Sequence, residues 1–210
     1  MGVSVAGEIS RLAARVTANP RLVLFARYPV PGACKTRLIP ALGPEGAADL
    51  HRQLTERTVA TLRQTACPVT LAFTGADRRA FERWLGSDIA LLEQVEGDLT
   101  TKLLACLEPA PVIFLGADTP DLTIDHVNAA IASLRTHEVV IGPAEDGGYY
   151  LIAMRQALPQ LLTDMPWSTD QVLRETRARL DRLAIAPLLL ETLSDCDRPE
   201  DLTRWPDLAV

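Results

Sequence analysis

The residues best suited to chemistry fall in three separated stretches. Lys35 and Arg37 stand two apart in the turn-rich run RYPVPGACKTRL (27–38), Asp118 follows the apolar run VIFL (112–115), and Asp195 and Asp197 stand two apart near the end of the chain. A phosphate-binding turn needs backbone donors and a cation, which the first stretch offers. Carboxylates at the end of a strand suit a hard divalent cation. Magnesium usually takes only one or two of them and leaves its other positions to water and substrate phosphates. A cleft holding Asp118, one of the late acids, Lys35 and Arg37 would therefore accommodate a metal–diphosphate pair. A purely structural reading stays open at each acid: Asp118 or Asp121 could cap the helix expected over 123–134, and Asp197 could cap a turn before Pro199.

A fourth stretch, GPAEDGG (142–148), places Glu145 and Asp146 before Gly147 and Gly148, where a backbone without Cβ atoms can approach a ligand. Tyr149 and Tyr150 follow it. Other chemistries are excluded by pattern. Cys34 occupies the position of the glycine before the lysine of a Walker A loop, and no GxSxG motif exists for a hydrolase nucleophile. The three histidines, His51, His126 and His137, have no serine or cysteine beside them in sequence. The four cysteines form no CxxC pair and no zinc-ligand spacing, so they are expected to be reduced thiols without a catalytic role in a cytoplasmic protein.

The elements that must position these residues alternate between strand and helix. Strands are expected at 21–26, 69–74, 89–94, 112–115, 138–141, 149–154 and 184–190. Helices are expected from Pro44 to about Gln64, at 77–85, 99–107 and 123–134, and after Asp170, with a short one at the C-terminus. The run VIFL reads as a strand buried on both faces, at home inside a parallel sheet. This alternation predicts βαβ units in an α/β class, a three-layer α/β/α sandwich around a mainly parallel sheet, with ligands beyond the carboxyl ends of its strands. Val5, Ile9, Leu12 and Val16 recur at helical spacing, so residues 1–19 are expected to form a helical extension packed on the domain or on a second subunit, as in a homodimer. Residues 20–210 are then one domain.

With 210 residues and 48% hydrophobic content, the chain can bury a core without disulfide or metal staples. A net charge of -6 argues against a nucleic-acid surface. No apolar run is long enough to span a membrane.

Five motifs, FARYPVPGACKTRL (25–38), GADTPDL (116–122), GPAEDGGYYLI (142–152), MPWSTDQVL (165–173) and DCDRPEDL (195–202), together resemble the DUF2064 group of bacterial GT-A-type glycosyltransferases. That group is similar to the nucleotidyltransferases that build molybdenum-cofactor dinucleotide and the deazaflavin cofactor precursor. The resemblance implies a Rossmann-like nucleotide-diphospho-sugar transferase fold with a mixed sheet. It implies a first loop, with Ala26, Arg27, Gly32, Lys35 and Arg37, that holds base and phosphates. It further implies Mg²⁺ or Mn²⁺ on Asp118 and on Asp197 or Asp195, and an acceptor side at Asp146, Gly147, Gly148, Tyr149 and Trp167. Asp146 is the candidate general base.

Members commonly carry a GDLGER-like run after the third strand. Here the run is Gly97-Asp98-Leu99-Thr100-Thr101-Lys102, with lysine for arginine, so Lys102, which the resemblance implies as a nucleotide- or phosphate-binding residue, keeps a charge but not the bidentate fork. The function expected is metal-dependent glycosyl transfer from a nucleotide-diphospho-sugar to a small-molecule acceptor. The alternatives are nucleotidyl transfer from a nucleoside triphosphate to a phosphorylated small molecule, and nucleotide binding without catalysis.

Overall fold

The computed structural model describes residues 19–208. The amphipathic helix expected over 4–18 lies outside the described residues. The described residues contain seven strands: β1 (Arg21–Arg27), β2 (Val69–Thr74), β3 (Ala90–Glu93), β4 (Val112–Leu115), β5 (Val139–Pro143), β6 (Tyr149–Met154) and β7 (Leu188–Leu189). They form one sheet in the order β3-β2-β1-β4-β6-β5-β7. Only β6 runs against its neighbours, β4 and β5; the other pairs are parallel. The α/β class and the mainly parallel mixed sheet expected from the alternation are thus present.

Period-2 side-chain alternation builds two cores. Leu22, Leu24, Leu71 and Ile113 face one layer with α1 (Ile39–Leu62), α2 (Arg78–Leu85) and α4 (Ile124–Ser133). Val23, Ala72, Phe114 and Ile152 face the other with α3 (Leu99–Ala105) and α5 (Val172–Arg182). All four residues of β4 are buried, as a strand covered on both faces requires.

Two elements differ from the sequence expectation. The last strand shrinks from 184–190 to Leu188–Leu189, because Pro187 has no N–H for a ladder and Ala184 is held at φ 55°. The early helix begins as a 3-10 turn over Thr36–Leu38 and breaks at Gly43 (φ 71°) before running on regularly from Pro44.

The carboxyl ends of β1 and β4 open at one edge of the sheet. Antiparallel β6 brings its first residue, Tyr149, to the same edge, because Leu115 pairs with Leu151. No helix among the described residues is long and apolar enough to cross a membrane.

Candidate active site

The loop after β1 folds over this edge. Gly32 adopts φ 80°, and Lys35 holds the left-handed conformation (φ 46°, ψ 41°) that opens the 3-10 turn. A non-glycine residue there costs about 1 kcal/mol, and buried Leu38 and Cys34 anchor the loop on either side. The turn lays the lysine stem inward, leaving its side chain 4% exposed.

The Lys35 ammonium is surrounded by acceptors. It lies 2.6 Å from Asp118 Oδ1, 3.6 Å from Asp197 Oδ1 and donates to the Cys196 carbonyl at 2.7 Å. The Cys196 N–H in turn donates to the Asp118 carbonyl at 2.8 Å, so the late segment is stitched to the end of β4. Burial alone would lower the Lys35 pKa, but the Asp118 and Asp197 carboxylates outweigh it and hold it above the usual lysine range. Desolvation likewise works to raise Asp118, yet the ammonium wins and keeps it below the usual carboxylate range. Arg37 pairs with the other oxygen of Asp197 and remains exposed.

Asp195 faces the same cleft. Its pKa is raised by burial and then by the neighbouring Asp146 carboxylate. Asp146 itself accepts the Gly148 N–H at 2.8 Å and so shapes its own turn. Gly147 sits at φ 88°, where a Cβ would lie 2.4 Å from the Asp170 carbonyl oxygen. Its own carbonyl accepts from Leu173 N–H at 2.9 Å, locking the turn to the segment that leads into α5.

These parts surround two joined cavities. One, of about 330 Å³, runs from His51 and Asp118 past Asp146 and Asp195 to Tyr149 and Trp167, with Phe25, Leu99, Leu103, Phe114 and Ile152 among its walls. The other, of about 530 Å³, is highly charged, with Arg37, Arg198 and Arg204 facing Glu145, Asp170 and Asp197. The edge therefore gathers Lys35, Arg37, Asp118, Asp146, Gly148, Tyr149, Trp167, Asp195 and Asp197. Ala26 is buried in the core at the end of β1, and Arg27 is exposed beside it. Lys102 lines neither cavity; its helix contributes Leu99 and Leu103 instead. Asp121 also points elsewhere, accepting from Trp205 Nε1 at 3.0 Å.

Sequence reasoning missed two residues. His51, on α1, is buried, lines the cleft and places Nε2 2.9 Å from the Arg27 carbonyl. A polar residue on the apolar stripe between Leu50 and Leu54 was its signal. Thr100 Oγ1 accepts from Trp167 Nε1 at 2.8 Å, a long-range contact with no local signature.

The acids offer only hard oxygen donors, which suits Mg²⁺ or Mn²⁺. Asp118 keeps half of its side-chain surface open to the cleft. No group of three or more His, Cys, Asp or Glu is set to hold a metal among the described residues. One or two carboxylates completed by substrate phosphates is the arrangement they fit.

A family model described as "Uncharacterized protein conserved in bacteria (DUF2064)" matches residues 57–169. That span contains Asp118, Asp146 and Trp167 but not the first loop or the late acids. A 3-phospho-D-glycerate guanylyltransferase of Phenylobacterium zucineum is 37% identical over 106 residues, 47% of this chain and 47% of that protein. The chain thus aligns with about half the length of this curated relative.

A structure from Desulfovibrio desulfuricans G20, provisionally named a nucleotide-diphospho-sugar transferase, superposes with TM-score 0.81 and 28% identity, covering 87% of this chain and 84% of the other. Glucosyl-3-phosphoglycerate synthase of Mycobacterium tuberculosis, solved with Mn²⁺ and UDP, shares the fold alone. Its TM-score is 0.53 at 15% identity, over 97% of this chain and 81% of that one. The fold is that of the nucleotide-diphospho-sugar transferases.

Proposed function

The chain belongs to the bacterial DUF2064 family, and we propose that it is a nucleotidyltransferase joining a nucleoside triphosphate to a phosphorylated small molecule. The observation that carries this reading is the 37% identity to a guanylyltransferase. It displaces glycosyl transfer, the first expectation from sequence, to second place. Glycosyl transfer keeps the support of the Desulfovibrio likeness.

The site geometry suits the proposal. The triphosphate lies against the Lys35–Arg37 loop, where the ammonium and guanidinium neutralise its charge. An oxygen of the acceptor phosphate attacks the α-phosphorus. The new P–O bond forms as the bond from the α-phosphorus to the α,β-bridging oxygen breaks, and its electron pair leaves on pyrophosphate. An acceptor phosphate is already largely ionised near pH 7, so the step needs no general base. Asp146, the candidate base under glycosyl transfer, instead holds the Gly147–Gly148 turn through the Gly148 N–H.

Catalysis is then mainly positioning and charge neutralisation. Asp118, with Asp197 or Asp195, would hold a divalent cation, which would add positive charge at the phosphates. For Lys35 to reach a phosphate, its bond to Asp118 must lengthen or be shared.

The test is product analysis with each triphosphate and a panel of phosphorylated acceptors. Pyrophosphate release with a dinucleotide-like diphosphate product supports the proposal. A nucleoside diphosphate released from a nucleotide-sugar, with triphosphates inert, supports glycosyl transfer instead.

A further inference from the structure

The 330 Å³ cavity is more apolar than a sugar or a short hydroxyacid needs. Two edge-to-face aromatic pairs form its walls: Phe25 with Phe114 at 6.0 Å and 61°, and Tyr149 with Trp167 at 6.3 Å and 85° between ring centroids and planes. Leu99 and Leu103 line it from α3. Leu99 is 39% exposed, so apolar surface is left for a ligand to cover.

Around the aromatic pairs the side-chain polar groups are engaged or buried. The Thr100 hydroxyl donates to the Leu162 carbonyl at 3.0 Å and accepts from Trp167 at 2.8 Å, so its proton is committed. That bond consumes the indole N–H as well. The Tyr149 hydroxyl has essentially no accessible surface. A nucleobase edge set against the aromatic pairs would be left unpaired there, at about 1–3 kcal/mol for each N–H or C=O group. Hydrocarbon carries no such cost and gains from burial. The same cavity is also lined by the carboxylates of Asp118, Asp146 and Asp195 and by His51, Thr119, Ser168 and Thr169.

We propose that this chamber seats the apolar body of the acceptor: an aryl or branched-alkyl group on a phosphorylated head that reaches back toward Asp118 and Lys35. The inference rests on the nucleotidyltransferase reading for which substrate fills the chamber. It separates this chain's acceptor from 3-phospho-D-glycerate, which has no apolar body. Thr100 is a positioning residue: it stands where members commonly have the second glycine of the GDLGER-like run, and its hydroxyl fixes the indole plane.

Calorimetric titration of phenyl phosphate and of 3-phospho-D-glycerate, with and without α,β-methylene guanosine triphosphate, tests this. The wild type should bind phenyl phosphate about tenfold or more tightly than 3-phospho-D-glycerate. Trp167→Ala should abolish that preference, and Thr100→Val should reduce it while moving the Trp167 indole N–H resonance. Phenyl phosphate should move that resonance in the wild type. Equal or tighter binding of 3-phospho-D-glycerate, no binding of phenyl phosphate, or displacement of phenyl phosphate by guanosine would each overturn the proposal, the last by making the chamber a base pocket. Pyrophosphate release is scored separately, so a phenyl phosphate preference without turnover leaves the apolar seat standing while the reaction assignment fails.

Discussion

The Lys35 ammonium and the Asp118 carboxylate meet at 2.6 Å across the carboxyl edge of the sheet, the lysine from the loop after β1 and the acid from the end of β4. Because these strands pair in parallel, the contact joins two neighbouring strand ends and closes the floor of the cleft. The lysine is almost wholly buried while the acid keeps half of its surface exposed. A phosphate arriving in the cleft reaches the Lys35 ammonium once this contact lengthens or is shared.

Asp118→Asn removes a charge from a buried ammonium and should destabilise the domain by about 2 kcal/mol without unfolding it. For a domain of this size that lowers Tm by roughly 4–8 °C. Thermal unfolding checks this, and an unchanged Tm would show that Lys35 finds equal partners in Asp197 and the Cys196 carbonyl.

The same pair sets a pH dependence. The folded pKa of Asp118 is depressed, so its stabilisation is present above the ordinary carboxylate value and is lost as pH falls through the lowered one. Lys35 is raised, so its contribution holds below the ordinary lysine value and fades only as pH rises through the higher folded one. The Tm difference between wild type and Asp118→Asn should thus be flat from about pH 5 to 9 and shrink below about pH 4. A difference that changes near pH 6–7 would point to another group.

Gly147→Ala should be costly. It combines φ 88° with a Cβ 2.4 Å from the Asp170 carbonyl oxygen, in the turn that is bonded to the start of α5. A loss of about 2–4 kcal/mol is expected, measured by urea unfolding. Gly148→Ala, whose Cβ would meet only the Asp146 side chain at 3.1 Å, should cost clearly less.

The cysteines should be slow toward thiol reagents at neutral pH. Burial pushes Cys34, Cys67 and Cys106 above the free-thiol value, and Cys196 up to about 11. Cys67, only half-buried, should react first in a timed titration of the folded protein. Rapid modification of Cys196 would contradict its place under the Lys35 loop.

Local chemistry made much of this site legible in the sequence. The VIFL run declared a doubly buried strand, and the prolines and glycine around Lys35 declared a loop. Asp195 and Asp197, two apart in the sequence, both line the charged cavity beside the Lys35 loop. What sequence could not show depends on contacts between distant segments. Nothing local to Thr100 announces Trp167, and nothing local to Asp121 announces Trp205. Lys102 carries a charge suited to phosphate, yet the cavity is lined from its helix by Leu99 and Leu103 instead. The apolar run 184–190 predicts a longer last strand than the two residues that form, because Pro187 cannot donate to a ladder.

Pyrophosphate release decides whether the cleft transfers a nucleotidyl group. The wild type and Lys35→Met would be incubated with each nucleoside triphosphate, with Mg²⁺ or Mn²⁺ and phosphorylated acceptors that include phenyl phosphate. Acceptor-dependent pyrophosphate release is expected with one triphosphate, reduced at least about a hundredfold in Lys35→Met, because a cation on the transferring phosphates is removed. Acceptor-dependent release of a nucleoside diphosphate from a nucleotide-sugar, with no pyrophosphate from any triphosphate, would contradict it.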